Sequence, residues 1–262
     1  MSNAIQSFRD IYSRRELLSE LVKRDVRLKY RRSFLGYLWS IMNPLLMMIV
    51  LTVVFARMFR YDIVNYPIYL IIGRSMFDFM SECTNAGMRS IVSNASLLKK
   101  TYVPKYIFTL ASVTSSAVNY IFSLGALVIV MVATKTIPSV YTVFLPLTII
   151  LFYTFCLGIS LFLASVTVFF RDIEYIYRAL LTAWMYLSAI FYPITRLPES
   201  IRGLVVNFNP IFIYVEQARS LILYGKIPTT HNICASVAFA LISIIIGITV
   251  FKKTQDSFIL YI

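Results

Sequence analysis

Residues 24–59, RDVRLKYRRSFLGYLWSIMNPLLMMIVLTVVFARMF, join two compositions that belong to different solvents. The first third is crowded with Arg and Lys, and no charged residue occurs from Ser33 to Ala56. About 20 apolar residues cross a bilayer core, so the run at about 34–59 reads as a transmembrane helix with slack for tilt. The basic collar ahead of it holds that end on the cytoplasmic side. Hydrophobic residues make up 59% of the 262-residue chain, against roughly 45–50% in soluble domains. The net charge of +13 then reads as membrane orientation. Nucleic-acid binding would need a basic face on a water-soluble fold, and the apolar runs leave no room for one.

Ile11, Leu17, Leu18, Leu21, Val22 and Leu28 share one face of a helix, with Arg and Lys between them. Residues 1–33 are therefore expected to form a cytoplasmic, N-terminal amphipathic helix lying at the membrane surface. Residues 34–262 are expected to be an all-α domain of six transmembrane helices, at about 34–59, 67–87, 106–133, 142–170, 179–192 (a short one) and 233–251. The polar stretch at about 88–103 predicts one short cytoplasmic helix, closed at the Val103-Pro104 step. Residues 193–231 hold two short helices, the second capped by Asn209, opened by Pro210 and followed by Gly225. That helix reaches only about 22 Å and is interrupted by Glu216, Gln217 and Arg219. The pair is expected to be re-entrant, dipping into protein-covered space. With these spans, seventeen of the 25 Lys and Arg lie inside and seven, Arg219 among them, lie outside, with Arg74 in the second span. Both termini are then cytoplasmic. The polar N-terminal segment lacks the apolar core of a signal peptide, and the first span is expected to do the targeting.

Cys83, Cys156 and Cys234 are widely spaced and His231 is the one histidine, which excludes a disulfide framework and a His-based metal cluster. No phosphate-binding loop, Gly-x-Ser-x-Gly or His-Glu-x-x-His is present. The chain is expected to be no enzyme and to bind no cofactor of its own. Arg74, Asp78 and Glu82 repeat every four residues and so stack on one helix face. Two readings are open: an intrahelical Arg74–Asp78 pair facing the bundle with Glu82 near the cytoplasmic boundary, or a polar wall of a transport path or subunit lock. Ile91, Val92, Leu97 and Leu98, closed by Lys99 and Lys100, form either an ordinary connecting loop or a helix covered by a protein partner. Phe55, Phe59, Tyr186, Phe191 and Tyr192 gather near the outer boundary, as an interfacial belt or as rings for stacking on sugars.

SFLGYLWSIMNPL, SIVSNASLLKKTYVPK, VFFRDIEYIYRALLTAWMYLSAIFYP and FNPIFIYVEQAR follow one another in order. This series resembles the permease subunit of polysaccharide ABC exporters, which move O-antigen, teichoic acid, capsule and related glycans. The likeness runs from about Arg24 to Phe251. It departs from the family pattern at Lys105-Tyr106, where an acidic residue is common, in lacking a Trp near Met76–Phe77, and in having a charge at Arg74.

The resemblance implies a homodimer with two copies of a separate ATPase, which holds the ATP and Mg, in a bacterial cytoplasmic (inner) membrane. It implies ATPase coupling through Ser90, Asn94, Leu98, Lys99, Lys100, Arg171 and Asp172, and outer-face gate helices at about 199–207 and 210–224. The cargo is expected to be a glycan on a polyprenyl diphosphate, its pyrophosphate captured at the headgroup level by Arg24, Arg27, Lys29, Arg31 and Arg32. The rivals are an ABC exporter for a drug, peptide or lipid, an ion-coupled secondary transporter working through Arg74, Asp78 and Glu82, and a membrane scaffold.

Overall fold

The computed structural model describes residues 14–31, 33–58, 63, 65–100 and 103–262, the side chains at 30 and 56–58 excepted. The expected roles of Ile11, Arg32 and Phe59 lie outside the described residues. Among those described, every regular element is helical. Four helices are long and apolar enough to cross a membrane: Gly36–Phe55, Tyr106–Ala133, Val140–Phe169 and Thr230–Tyr261.

Helix α1 (Arg15–Tyr30) is amphipathic as expected, but its apolar stripe packs on protein. Leu21 is buried in a cluster with Ile91, Leu98, Ile107 and Phe108, and Leu17, Leu18 and Val22 pack against it. Val26 is buried and Leu28 is exposed, so the stripe turns one position away from the expected face. On the wet face Lys23 donates to Glu20 at 2.9 Å and holds that carboxyl below its ordinary value.

Gly36, at φ +50°, turns the chain at a conformation that suits glycine. A 3₁₀ turn (Gly36–Leu38) leads into α2 (Trp39–Thr52), which ends in a π-turn over Val53–Met58. Pro44 lies inside α2 and removes one helical hydrogen bond, which membrane helices tolerate beside polar surroundings. No residue of α2 is buried, so it lines the outside of the bundle.

Helix α3 (Tyr66–Ser93) is the centre of the packing. Ile68, Leu70, Ile71, Met76 and Met80 are buried along it, and it touches α2, α5 (Tyr106–Ala133) and α6 (Leu145–Phe169). It continues through residues 88–93, which were expected in the following short helix. That helix, α4, is only Ala95–Lys100. Asn94 explains the break: its Nδ2 donates to the Ser90 carbonyl at 2.8 Å, a side-chain bond that competes with the helical ladder.

Helix α7 (Ile173–Leu187) begins earlier than expected and stops at Ser188. After a 3₁₀ turn (Ile194–Arg196) come α8 (Glu199–Phe208) and α9 (Pro210–Ile222). Asn209 caps α9 as expected, its Oδ1 accepting from the Ile211 and Phe212 amides, and Gly225 follows at φ +60°. Helix α10 (Thr230–Thr254) does not end in a loose tail. A 3₁₀ turn (Gln255–Ser257) and a short α11 (Phe258–Tyr261) continue it, and Phe258 is fully buried against Phe251 and Phe169. Lys105 donates to the Gln255 carbonyl just past the end of α10, where a cation meets the negative end of the helix dipole.

The longest seam runs between α6 and α10, and glycine makes it possible. A methyl added at Gly158 would lie 2.3 Å from the Ser243 carbonyl carbon, and one at Gly247 would lie 2.2 Å from the Gly158 oxygen. Small residues let helix backbones approach where no hydrophobic drive separates helix from lipid. Gly158→Val and Gly247→Val are expected to destabilise by at least the roughly 1–3 kcal/mol of overpacking. Thermal unfolding in detergent checks this, with Gly203→Ala, which meets nothing within 4 Å, unchanged or slightly more stable.

Candidate functional site

A polar cleft opens between α1, α2, α3 and α5. Helical spacing builds it: Arg74, Asp78 and Glu82 recur every four residues on α3, and Ser116, Asn119 and Ser123 lie on one face of α5. Helix α2 adds Ser40 and Asn43, and Lys29 reaches in from the end of α1. An inner chamber of about 340 Å³ and an outer one of about 520 Å³ share Lys29, Glu82, Ser116 and Asn119.

The charges in the cleft are paired. Arg74 grips Asp78 through Nε–Oδ2 at 2.9 Å and Nη2–Oδ1 at 2.8 Å, a fork stronger than a single contact. Its Nη1 also donates to the Met185 sulfur on α7 at 3.0 Å. The Arg74–Asp78 pair is thus present, and Glu82 has a different partner: Lys29 Nζ lies 2.7 Å from its Oε2. Asn119 Nδ2 donates to the other carboxylate oxygen at 2.8 Å.

Of the basic collar, Arg24 and Lys29 line the outer chamber together with Arg89. Arg24 bonds Asp25 Oδ1 at 2.9–3.0 Å and Asn94 Oδ1 at 3.0 Å. Arg27 and Arg31 are exposed and do not line it. Arg89 and Asn119 belong to the cleft and escaped the sequence reading. The signal was there: Arg89 lies seven residues after Glu82 and Asn119 three after Ser116, each on the face of its neighbour.

The residues expected to contact an ATPase divide into two kinds. Ser90, Asn94 and Leu98 are buried. Ser90 bonds Thr109 Oγ1 at 2.7 Å, Asn94 ties α4 to Arg24, and Leu98 joins the cluster beneath α1. Lys99, Lys100, Arg171 and Asp172 are exposed. Arg89 bridges Glu174 at 2.7 Å, joining the C-terminal end of α3 to the start of α7.

Among the aromatic candidates, Phe55 stacks on Phe191 at 5.3 Å and Tyr186 tilts against Phe191 at 5.8 Å. The Tyr192 hydroxyl donates to the Tyr186 carbonyl. Phe191 is buried and Tyr186 exposed, so the accessible ring surface of the cluster is mainly that of Tyr186.

Arg219 corrects the charge count made from the sequence. It is not an outer-surface cation but is fully buried. Its guanidinium donates to the Ala189 carbonyl at 3.2 Å and the Ile190 carbonyl at 3.1 Å, and to Tyr69 O at 3.4 Å. It also lies 3.4 Å from the centroid of the Tyr69 ring, a cation–π contact. Ala189 sits at φ +48°, a strained conformation for alanine held by these bonds and by the Tyr69 hydroxyl at 3.0 Å. Asn209 ties the same corner from the other side, accepting from Trp184 Nε1 at 2.9 Å and donating to Ser188 Oγ at 3.1 Å.

Residues 16–223, from α1 to the end of α9, match the family described as ABC-2 type transporter. The chain belongs to that family. As an ABC-2 type chain it is a multi-pass membrane protein and a component of a transporter. The O-antigen export system permease protein RfbA of Myxococcus xanthus is 28% identical over 255 residues, covering 97% of this chain and 98% of that relative. An RfbA of Klebsiella pneumoniae is 26% identical, with 93% of each chain covered. The polysialic acid transport protein KpsM of Escherichia coli is 22% identical over 90% of this chain and 93% of its own. At 97% coverage the Myxococcus xanthus relative extends into α10, beyond the family match.

Substitutions at two places test the paired and buried charges of this ABC-2 chain. Asp78→Asn strands Arg74 and is expected to cost more stability than Arg74→Gln combined with Asp78→Asn, with a coupling of about 0.5–3 kcal/mol in the double-mutant cycle completed by Arg74→Gln, read by thermal unfolding. Arg219→Ala is expected to lose about 3–5 kcal/mol, because it strands the Glu216 carboxylate 4.0 Å away together with the three carbonyls. Arg219→Lys is expected to recover little of it, because one ammonium cannot serve three carbonyls as a planar fork does.

Proposed function

We propose that this chain is the membrane permease of an ATP-driven exporter that moves a polysaccharide on a polyprenyl-diphosphate carrier across the bacterial cytoplasmic membrane. One observation carries the reading: an ABC-2 type chain, alike end to end to O-antigen and capsule export permeases, has a basic helix beside a polar cleft. Arg24 and Lys29 at the mouth suit capture of the pyrophosphate, with Arg27, Arg31 and Arg32 attracting the anionic lipid to the surface.

In this reading the chain has six spans with both termini cytoplasmic. Helices α3 and α7 join the four apolar ones, the charges of α3 turned into the cleft, and α8 and α9 form a re-entrant gate on the outer side. The burial of nearly all of α9 supports the last point, since irregular backbone at membrane depth has to be covered by protein. Residues 1–33 then form the cytoplasmic interface segment and 34–262 the transmembrane domain. Two copies pack about a two-fold axis using the open apolar faces of α2 and α7, where Leu46, Ile49, Val50, Ile176 and Leu180 are exposed. The sugar chain passes between them along Tyr186 and the neighbouring Phe55, Phe191 and Tyr192, with Phe59 on the same path.

Two copies of a separate ATPase, which holds ATP and Mg, press on α4 and on the turn before α7. Lys99, Lys100, Arg171 and Asp172 make the contact, and Ser90, Asn94 and Leu98 hold α4 so that its movement reaches α1. The charge-reversed variant Lys99→Glu/Lys100→Glu, with or without Arg171→Glu, is expected to insert normally in the membrane. It is expected to lose at least ten-fold in co-purified ATPase and in surface glycan when it replaces the wild type. Full export by these variants would overturn the coupling assignment. An unchanged glycan profile after deletion of the chain would overturn the function.

A further inference from the structure

We infer that the inner chamber of the cleft is a saccharide-recognition site for the sugar nearest the diphosphate, and that the Lys29–Glu82–Asn119 bridge is its closed latch. The inference rests on the function proposed above and adds a site and an order of events to it. The chamber's chemistry excludes most alternatives. A second anion would meet the Asp78 and Glu82 carboxylates, and a lipid tail would strand hydroxyls and amides without partners. A hydroxyl-rich ring fits both demands: each hydroxyl donates to a carboxylate and accepts from an amide or guanidinium. Ser40, Asn43, Ser123 and the Arg74–Asp78 pair supply those groups. Trp39, Phe79 and Tyr120 supply apolar ring surface for the C–H side of a sugar. At about 340 Å³ the chamber lies at the small end of the roughly 300–1,000 Å³ of ligand pockets, matched to a short saccharide rather than a polymer.

The latch follows from what the chambers share. Lys29 and Glu82 line both, and they are joined at 2.7 Å with their side chains 40% and 38% exposed. A pair that open is held weakly and can exchange partners. A diphosphate entering the outer chamber meets Arg24, Lys29 and Arg89 and competes with Glu82 for the Lys29 ammonium. Once Lys29 turns to the phosphate, Glu82 and Asn119 are released toward the first sugar. Charge and sugar are thus read in sequence, and a bare diphosphate lipid fills only the outer chamber.

The test uses the full-length chain in nanodiscs and isothermal titration with water-soluble probes: citronellyl diphosphate, and the same diphosphate carrying glucose or N-acetylglucosamine. At least one glycosylated probe is expected to bind ten-fold or more tightly than citronellyl diphosphate. Asn43→Ala, on an exposed turn of α2, and Ser123→Val on α5 are expected to erase that increment while leaving citronellyl diphosphate affinity unchanged. Glu82→Gln is expected to tighten citronellyl diphosphate several-fold by removing the carboxylate that competes for Lys29, and to shrink the sugar increment. Equal affinity for all three probes, or an increment that survives both Asn43→Ala and Ser123→Val, would overturn the site. Unaltered diphosphate binding in Glu82→Gln would overturn the latch. No binding of any probe by a chain that still restores surface glycan to a deletion strain would remove this site and leave the proposed function standing. A deletion strain with normal glycan would remove both.

Discussion

Main-chain carbonyls left open where α7 breaks at Ser188–Ala189 lie in a buried corner of the protein, and a buried polar group left without a partner costs about 1–3 kcal/mol. Arg219 meets this need from α9 by donating to Ala189, Ile190 and Tyr69 at once. The cost of burying a guanidinium is offset by three carbonyls and the face of Tyr69. The corner cannot be built in parts. Tyr69 brings α3, Arg219 brings α9, and Asn209 brings the joint between α8 and α9. The short helices α8 and α9 are therefore an extension of the central helix rather than a loop laid upon it.

The same constraint, differently met, separates rigid from yielding parts of the molecule. At the α6–α10 seam backbone lies against backbone at Gly158 and Gly247, and sliding would create overlap at once. On the other side, α2 buries no residue and borders the cleft with polar groups and Pro44. A transporter needs one part that holds shape and one that changes it. Dense packing transmits displacement, whereas weakly held, half-exposed ion pairs such as Lys29–Glu82 can be remade.

At the end of the bundle where α1 lies, one apolar cluster gathers α1, α4, α5, α10 and the C-terminal α11 around Leu21, Leu98, Ile107 and Phe258. A push on α4 is then a push on α1 as well. Helix α1 carries the collar and Lys29, so force applied at Lys99 and Lys100 has a short path to the mouth of the cleft. Arg89–Glu174 offers a parallel connection from α3 to α7.

The sequence by itself determined the helical class, the ends of α5, and the Asn209–Pro210 start and Gly225 finish around α9. It also showed the Arg74–Asp78 spacing that becomes an ion pair. These are local properties, set by apolar run length, capping chemistry and the 3.6-residue period. Tertiary structure alone decided which side of α1 is covered, with Val26 inward and Leu28 outward. It drew Phe258 into the core, carried Arg219 from a supposed outer surface to complete burial, and gave Glu82 to Lys29, 53 residues away. The physical reason is common to all four. An apolar stripe or a charge announces that it needs a partner, but several distant segments can satisfy it, and only packing selects which one does.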